Sequence, residues 1–321
     1  MRGLVSLSVV VLLACGESDA DYSNDVASQM HEALTVDLHQ LVVSAQALQD
    51  AAPVTQGRGW DAQADFVAIA QMKNEWLRAR AAYEHVEGAV APMFPNLDVA
   101  LDSRYEELLA GGDAYAFDDQ GVVGLDAIER VVWSDVTPSV TIAYEGTLPG
   151  YAPARFPATE QEAADFKNVL CAKLVADAKA LEAGWNSQAI DVKAAYGGLI
   201  ALMTEQRDEI AHATLGSEES RYSQTTLNDL RSNVEGVEAL YGIFRPWIAT
   251  KHDGGEADQK IEAGFAALDM LYAATAGDAL PPATSGEYIA LAAAVTVTVD
   301  PNVDGSLTNE MARVGALLDQ R

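Results

Sequence analysis

Acidic residues interrupt an otherwise apolar helical pattern at residues 122–133. The segment reads VVGLDAIERVVW, and its polar side chains are Asp126, Glu129 and Arg130. A helix that is apolar nearly all round is buried, and a buried carboxylate without a partner is costly. Two carboxylates one turn apart also raise each other's pKa. A bound cation would remove both penalties, and an ion pair between Asp126 and Arg130 is the alternative.

A second pair of acids lies in an earlier helical pattern, the stretch WLRARAAYEHVE that ends at Glu87. Glu84 and Glu87 are three residues apart and therefore share one helical face. Arg80 precedes Glu84 by one turn, so an ion pair within the helix is again the alternative. A further acid, Asp102, precedes Arg104 and is by itself an ordinary acid for a helix start.

The charge balance restricts the classes of partner. The chain has 321 residues, with 48 Asp and Glu against 20 Lys and Arg, and a formal charge of −28. This argues against a nucleic-acid-binding protein, because phosphate contacts need a basic surface. The acid excess favours a metal ion or another cationic partner. Two cysteines exclude a disulfide-rich scaffold and a Cys-rich zinc site, and five histidines leave little room for a multi-His metal centre.

Residues 1–15 have the pattern of a bacterial lipoprotein signal peptide. A basic residue precedes an apolar stretch over residues 4–13, which is too short to span a bilayer. The sequence Leu-Leu-Ala-Cys at residues 12–15 resembles a lipobox and predicts lipidation of Cys15. A polar tether is predicted over residues 16–24. These features predict a protein of the bacterial cell envelope, lipid-anchored on the periplasmic side or the outer surface. Cys171 then has no disulfide partner and is predicted to be a buried apolar residue.

The rest of the chain is predicted to be all-α, because its apolar residues recur with a period near 3.6. Prolines and glycines crowd the segment 136–158, which is predicted to be a linker without helix. The linker separates an N-terminal helical bundle, 25–135, from a C-terminal bundle, 159–321. Alternation in the segment 295–299, Val-Thr-Val-Thr-Val, resembles a strand and leaves that segment open. Helices are predicted over residues 25–51, 60–91, 97–110, 119–134, 160–185, 188–215, 223–247, 256–276 and 306–319.

A faint internal repeat favours duplication of the two halves. Residues 41–50 align without gaps on residues 174–183, and five of the ten positions are identical. Because the predicted linker falls between the two copies, we expect two four-helix bundles related by pseudo-symmetric duplication.

Several motifs in the same order resemble the imelysin family, which includes EfeO-like iron-uptake proteins and imelysin-like lipoproteins. They are ARAAYEHVE at 79–87, DSR at 102–104, GLDAIE at 124–129 and ESRYSQTTLNDLRSNVEG at 219–236. The resemblance runs from about residue 25 to the C-terminus. It implies an all-α fold of two four-helix bundles and a metal site near the bundle interface.

The family's signature for that site is Gly-x-His-x-x-Glu. Carried over residue by residue, the resemblance implies five metal ligands: Glu84, Glu87, Asp102, Asp126 and Glu129. Asp126 stands where the family has histidine. An imidazole would favour a borderline metal such as Zn²⁺. With Asp126 the site is all-oxygen and suits a hard cation, Fe³⁺ or Ca²⁺. The alternative is that the site no longer binds metal.

The last of these motifs also carries a polar helical face, which includes Arg221, Asp229 and Arg231. These side chains are predicted to cap helices or to fix the bundle interface beside the site. Glu235 is an additional candidate ligand.

These observations predict a lipid-anchored extracytoplasmic protein that binds a metal ion for uptake of iron or another cation. Its expected partners are the ion, the membrane and a membrane permease, with no nucleic acid. A metallopeptidase is a second hypothesis, because the family is classed with peptidases. It would need a metal-bound water and a general base, whereas the signature histidine is replaced and His85 is predicted to point away. An acidic-polysaccharide-binding protein and an accessory lipoprotein with a degenerate site also stay open.

Overall fold

The computed structural model describes residues 18–318, and this part of the chain contains fourteen α-helices and no β-strand. The prediction of an all-α fold is confirmed. A turn of π-helix, Phe166–Leu170, joins α8 to α9. The helices are α1 Asp19–Ala51, α2 Phe66–Glu84, α3 Glu87–Val90, α4 Pro95–Leu101, α5 Tyr105–Leu109, α6 Gly124–Val132, α7 Ser139–Glu145, α8 Glu160–Asp165, α9 Cys171–Ser187, α10 Val192–His212, α11 Thr226–Ile248, α12 Gly254–Ala274, α13 Gly286–Val299 and α14 Leu307–Leu318.

Helix α1 begins earlier than predicted. The Ser18 hydroxyl accepts a hydrogen bond from the Asp21 amide, and the Asp21 carboxylate accepts one from the Ser18 amide at 2.9 Å. This reciprocal capping box stabilises a helix start at Asp19. The predicted tether, 16–24, is therefore helical from Asp19 onward. The predicted signal peptide and the lipidation at Cys15 lie outside the described residues.

Two predicted helices are divided in the structure, and both breaks fall beside candidate ligands. The helix predicted over 60–91 ends at Glu84 and resumes at Glu87. The helix predicted over 97–110 is broken at Asp102, whose backbone lies outside the helical region at φ −142° and ψ 45°. These breaks release the side chains of Glu87 and Asp102 from straight helical spacing, so both turn toward Glu84.

The segment predicted as a helix-free linker contains the short helix α7. The prediction is wrong there, because Pro138 lies just before the helix, where a proline is tolerated. The buried carboxylate of Glu145 holds α7 against the core through Arg130, whose Nη2 lies 3.1 Å away. The segment 295–299 is helical within α13, and Thr296 and Thr298 donate hydrogen bonds to carbonyls one turn earlier.

The two copies of the internal repeat are neighbours. Helix α1 packs against α2 and α9, and α9 therefore lies with the N-terminal helices although it follows the predicted linker. Lys179 Nζ lies 3.4 Å from the Gln46 side chain, at equivalent positions of the repeat. The repeat therefore does not mark one helix in each of two separate bundles, and the pseudo-symmetric duplication stays a prediction. Cys171 is buried, as predicted.

Two close backbone approaches position the acidic residues. Gly124 begins α6 at φ +86°, and a Cβ there would lie 2.6 Å from the Leu101 carbonyl oxygen at the end of α4. Only glycine fits this position, which brings Asp126 beside Asp102. Helix α11 approaches the break after α2 equally closely, since a Cβ on Gly236 would lie 2.3 Å from the His85 carbonyl oxygen. Among residues 18–318, no helix is long and apolar enough to cross a membrane.

Candidate metal centre

Arg80 lies at the centre of a group of carboxylates, with none of its surface exposed. Its Nε is 2.6 Å from Glu84 Oε1, and its Nη2 is 2.5 Å from Glu219 Oε1. Its Nη1 also contacts Asp102. The guanidinium therefore joins α2 to the end of α4 and to the segment that precedes α11.

Two further carboxylates complete the group. Asp126 on α6 and Asp229 on α11 each have an oxygen 3.9 Å from a guanidinium nitrogen of Arg80. One positive charge thus faces five carboxyl groups, of which Glu84, Asp126 and Asp229 are buried, and it cannot balance all of them when they are ionised. We refer to these residues as the Arg80 cluster: Arg80, Glu84, Asp102, Asp126, Glu219 and Asp229.

Two sets of three carboxylates have the spacing that a single metal ion requires. One set is Glu84, Glu87 and Asp102, and the other is Glu84, Glu219 and Asp229. Within each set, one oxygen from each residue lies within 4.8 Å of the others. Oxygen ligands at about 2.0 to 2.6 Å from a shared ion have separations of this size. We refer to them as the two cation-sized sets. Glu84 belongs to both and is the common ligand candidate.

Several buried oxygens at this point lack hydrogen-bond donors. Within the described part of the chain, neither carboxylate oxygen of Glu84 accepts a hydrogen bond, and Glu87 Oε2 and Asp126 Oδ1 also accept none. The contact of Arg80 with Glu84 is an ion pair without hydrogen-bond geometry. Buried carboxylate oxygens are normally satisfied. A cation among them would supply the missing interaction, so the residues present fit an ion with oxygen ligands.

The electrostatics of these carboxyl groups agree with such a site. Burial raises the pKa of Glu84 and of Glu87 well above the ordinary range. Burial also raises the pKa of Asp126 and of Asp229 to about 7, against the lowering effect of Arg80. A bound cation favours the ionised carboxylates, so we expect metal binding to release protons.

A cavity of about 360 Å³ opens beside the Arg80 cluster, between α10, the α4 end and the segment around Glu219. The wall also includes Glu205, which is exposed and lies close enough to Glu219 for the two charges to repel. Arg104 also lines the cavity and pairs with Glu209. Most of the lining is acidic: Glu87, Asp98, Asp102, Glu107, Asp126, Glu205, Asp208, Glu209 and Glu219. This lining attracts cations toward the buried carboxylates.

The sequence-predicted ligands are only partly brought together. Glu84, Glu87 and Asp102 form one of the two sets, and Asp126 lies at its edge. Glu129 is turned elsewhere, because its Oε1 accepts a hydrogen bond from the Ser223 amide at 2.7 Å. Its other oxygen has no donor among residues 18–318.

The two ion pairs that the sequence left open as alternatives to a metal site have different outcomes. The pair of Arg80 with Glu84 is confirmed. A pair of Asp126 with Arg130 is wrong, because Arg130 binds Glu145 and its guanidinium lies over the Tyr105 ring at 4.0 Å.

Glu219 and Asp229 are not among the ligands predicted from the sequence, although both lie in the motif at 219–236. The sequence signal is the spacing of Asp229 and Asn233, four residues apart beside Leu230 and Val234, which places two polar side chains on one face next to apolar ones. Both are buried in the structure. Arg231 does cap α12, donating to the Tyr272 and Thr275 carbonyls at 2.8 and 2.9 Å.

Glu235 and His85, which the sequence also drew attention to, lie outside the Arg80 cluster. Glu235 is largely exposed and lies 3.5 Å from His85, away from the cluster. His85 contacts Asp37 on its other side at 3.7 Å, so the prediction that it points away is confirmed.

The fold and the site together define an all-α protein with a buried, cation-sized set of carboxylates. The imelysin family model matches residues 27–302, and the chain belongs to the imelysin family. The resemblance inferred from the motifs is therefore confirmed.

Curated relatives share this part of their sequence with the chain. The iron uptake system component EfeM of Pseudomonas syringae is 25% identical over 205 residues, which cover 64% of this chain and 59% of the relative. EfeM of Bacillus subtilis is 25% identical over 64% of this chain and 43% of the relative. The iron uptake system component EfeO of Escherichia coli is 24% identical over 84% of this chain and 61% of the relative. The chain thus spans 43 to 61% of the length of these relatives.

A solved structure supports the fold. It is a Parabacteroides distasonis precursor described as an iron-regulated protein A, and it aligns with a TM-score of 0.62 at 13% identity. The alignment covers 95% of this chain and 97% of the other. At this identity the likeness establishes the shared fold alone.

Proposed function

We propose that this protein is a lipid-anchored, extracytoplasmic metal-binding protein that serves iron uptake, with the ion held by carboxylates of the Arg80 cluster and by Glu87. The observation that carries the proposal is the position of Glu84, a buried carboxylate that belongs to both cation-sized sets. Neither of its oxygens accepts a hydrogen bond from the described residues. The curated relatives, which are named as components of an iron uptake system, support the same role.

The chemistry of the donors favours a hard ion. Both cation-sized sets consist of carboxylates alone, and such ligands suit Fe³⁺ or Ca²⁺ better than a borderline metal. Fe³⁺ is then the cargo of the protein. Glu84, Glu87 and Asp102 would hold it, with Asp126 within reach, whereas the proposed ligand role of Glu129 needs a side-chain rotation away from Ser223.

The acidic cavity suggests how the ion reaches the site. Its wall includes Asp208, which is exposed, and it ends at Asp126 and Glu219 in the buried cluster. We propose that a membrane permease receives the ion from this side, while a lipid on Cys15 keeps the protein at the membrane. Two helical bundles related by duplication remain part of the proposal, with α9 packed against α1 among the N-terminal helices.

Titration calorimetry of the purified, metal-stripped protein tests the proposal. Citrate-buffered Fe³⁺ is compared with Ca²⁺ and Zn²⁺, and we expect tight binding of a hard cation that Glu84→Gln abolishes. Glu75→Gln is the matched control, since Glu75 is a buried acid on the same helix that pairs with Arg78 outside the cluster.

The competing functions predict different results. Unchanged hard-cation binding in Glu84→Gln would contradict the proposed site. Absence of binding in the wild type would favour an accessory lipoprotein with a degenerate site. Chelator-sensitive cleavage of an unfolded protein would favour the metallopeptidase, and chelator-resistant binding of an acidic polymer would favour the polysaccharide-binding protein.

A further inference from the structure

The guanidinium of Arg80 occupies the space between the two cation-sized carboxylate sets. It contacts Asp102 from one set, Glu219 from the other, and Glu84, which belongs to both. We propose that Arg80 is a built-in competitor cation: an incoming ion takes its place among the carboxylates, and the cost of displacing it sets the affinity threshold of the site. This inference rests on the proposed function and adds the determinant of which ions are retained.

Two properties of Arg80 make it a competitor and not simply a neighbour of the ion. An arginine keeps its charge at every pH that a protein experiences, so it cannot leave the site by losing a proton. Its Nη1 donates a hydrogen bond to Asp102, but its Nε and Nη2 are buried without hydrogen-bond geometry to any described residue, although carboxylate oxygens lie 2.6 and 2.5 Å away. The guanidinium therefore balances charge here without forming the paired, bidentate hydrogen bonds that stabilise arginine–carboxylate contacts.

Displacement and coexistence make different quantitative predictions. If Arg80 leaves the carboxylates when the ion binds, the cost is the same for every ion, because it is the cost of moving one guanidinium. If Arg80 stays beside the ion, the repulsion grows in proportion to the charge of the ion. Under displacement, a weakly attracted monovalent ion cannot offset the fixed cost, whereas a divalent or trivalent ion can.

The experiment compares Ca²⁺ with Tb³⁺, a trivalent hard ion whose luminescence reports binding, in the purified wild-type protein and in Arg80→Met. Methionine keeps the apolar stem and removes the charge. We expect both ions to bind about tenfold or more tightly in Arg80→Met, by the same factor, since one nearby charge is worth this much in a protein interior. Unchanged or weakened binding of both ions, or a clearly larger gain for Tb³⁺ than for Ca²⁺, would overturn the displacement proposal.

Two further variants keep the test decisive. Arg104→Met is the calibrating control, because Arg104 lines the cavity and is paired with Glu209 without lying between the two sets. Because Arg104 stays in place when the ion binds, its removal should tighten binding less than Arg80→Met does. The gain in affinity should be greater for Tb³⁺ than for Ca²⁺. If Arg80→Met folds poorly without metal, Arg80→Lys replaces it, since the shorter ammonium cannot contact Glu84, Asp102 and Glu219 together. We expect Lys to give an intermediate gain, equal for the two ions.

Failure of this inference is distinguishable from failure of the proposed function. If the wild type binds Ca²⁺ and Tb³⁺ and Glu84→Gln does not, the site stands whatever Arg80→Met shows. If neither wild type nor Arg80→Met binds any cation, both the site and the competitor role are wrong. Thermal melting supplies an independent readout, because added Tb³⁺ should raise the melting temperature of Arg80→Met more than that of wild type.

Discussion

Arg80 Nε lies 2.6 Å from Glu84 Oε1, in an ion pair one helical turn apart whose two side chains have no exposed surface. On an exposed helix such a pair stabilises by only about 0.3 to 0.5 kcal/mol. In this buried position, four further carboxylates share the same guanidinium, and Glu84 is left with oxygens that accept no hydrogen bond from the described residues. The pair is therefore incompletely satisfied, and that is why we assign it to ion binding and not only to stability.

Stability of the metal-free protein should fall as the pH rises from about 4 to about 7. Asp126 and Asp229 have folded-state pKa values of about 7, whereas their ordinary value is 3.8. In this range the unfolded chain has released both protons and the folded protein retains them, so rising pH favours unfolding. Urea unfolding at a series of pH values measures the slope, which the double variant Asp126→Asn/Asp229→Asn should flatten by on the order of a few kcal/mol across the range. An unchanged slope in the double variant would contradict the raised pKa values.

Metal should remove that pH dependence. A cation favours ionised carboxylates, so saturating Ca²⁺ or Tb³⁺ is expected to stabilise the protein more at pH 7 than at pH 5. Calorimetric titration in two buffers of different ionisation enthalpy should show proton release on binding at pH 6. Binding without proton release would mean that the carboxyl groups are already ionised in the metal-free protein.

Asp126→His should shift the preference of the site toward a borderline metal. Asp126 Oδ1 lies 3.9 Å from Arg80 and accepts no hydrogen bond from residues 18–318. An imidazole nitrogen at this place would therefore be available to ligate a metal ion. We expect the ratio of Zn²⁺ to Ca²⁺ affinity to rise by about tenfold or more, because nitrogen ligands favour Zn²⁺. Competition titration against a zinc indicator measures the ratio. Asp65→His, on the Arg58 ion pair away from the cluster, should leave the ratio unchanged.

Glu129→Gln should retain most of the metal affinity. The amide oxygen of glutamine can still accept the hydrogen bond that Glu129 receives from Ser223, so the turn before α11 is preserved. We expect the affinity for Ca²⁺ to change by less than about tenfold, which is under about 1.4 kcal/mol. A loss comparable to that of Glu84→Gln would show instead that Glu129 rotates to ligate the ion, as the family resemblance implies.

Gly124→Ala should disturb both fold and site. The φ of +86° and the 2.6 Å approach to the Leu101 carbonyl leave no space for a Cβ, so helix α6 must move away from α4. We expect a loss of about 1 to 3 kcal/mol in the free energy of unfolding, together with weaker metal binding as Asp126 and Asp102 separate. Gly197→Ala is the control, because Gly197 lies within α10 and a Cβ there would meet no atom within 4 Å. That variant should be neutral or more stable by up to about 1 kcal/mol.

The helical class could be predicted from local pattern. Apolar residues with a period near 3.6 predict helices wherever they occur, and that information lies within a few turns of chain. The errors lie at helix boundaries, which apolar periodicity does not define. A capping box at Ser18 extends α1, the backbone at Asp102 breaks a predicted helix, and Pro138 permits a short helix in the predicted linker.

The candidate site, like the fold, could be predicted from the sequence only in part. Carboxylates on apolar helical faces, Glu84 with Glu87 and Asp126 with Glu129, are visible from residue type and spacing alone. The family likewise followed from motifs in their order and is confirmed by the match over residues 27–302. Sequence spacing does not give the direction of a side chain. The structure directs Glu87 and Asp102 toward Glu84, whereas Glu129 accepts a hydrogen bond from the Ser223 amide.

Residue type and periodicity therefore established an all-α protein that buries more acid than its own bases can balance. Tertiary packing determines which acidic side chains lie close together. Glu219 and Asp229 come to Arg80 from far along the chain, and the close contact of Gly236 with the His85 carbonyl holds α11 near enough for this. Helical periodicity is a local property, whereas an ion site needs oxygens from several helices within about 5 Å of one another. Only the packing of α2, α4, α6 and α11 around one guanidinium creates that arrangement.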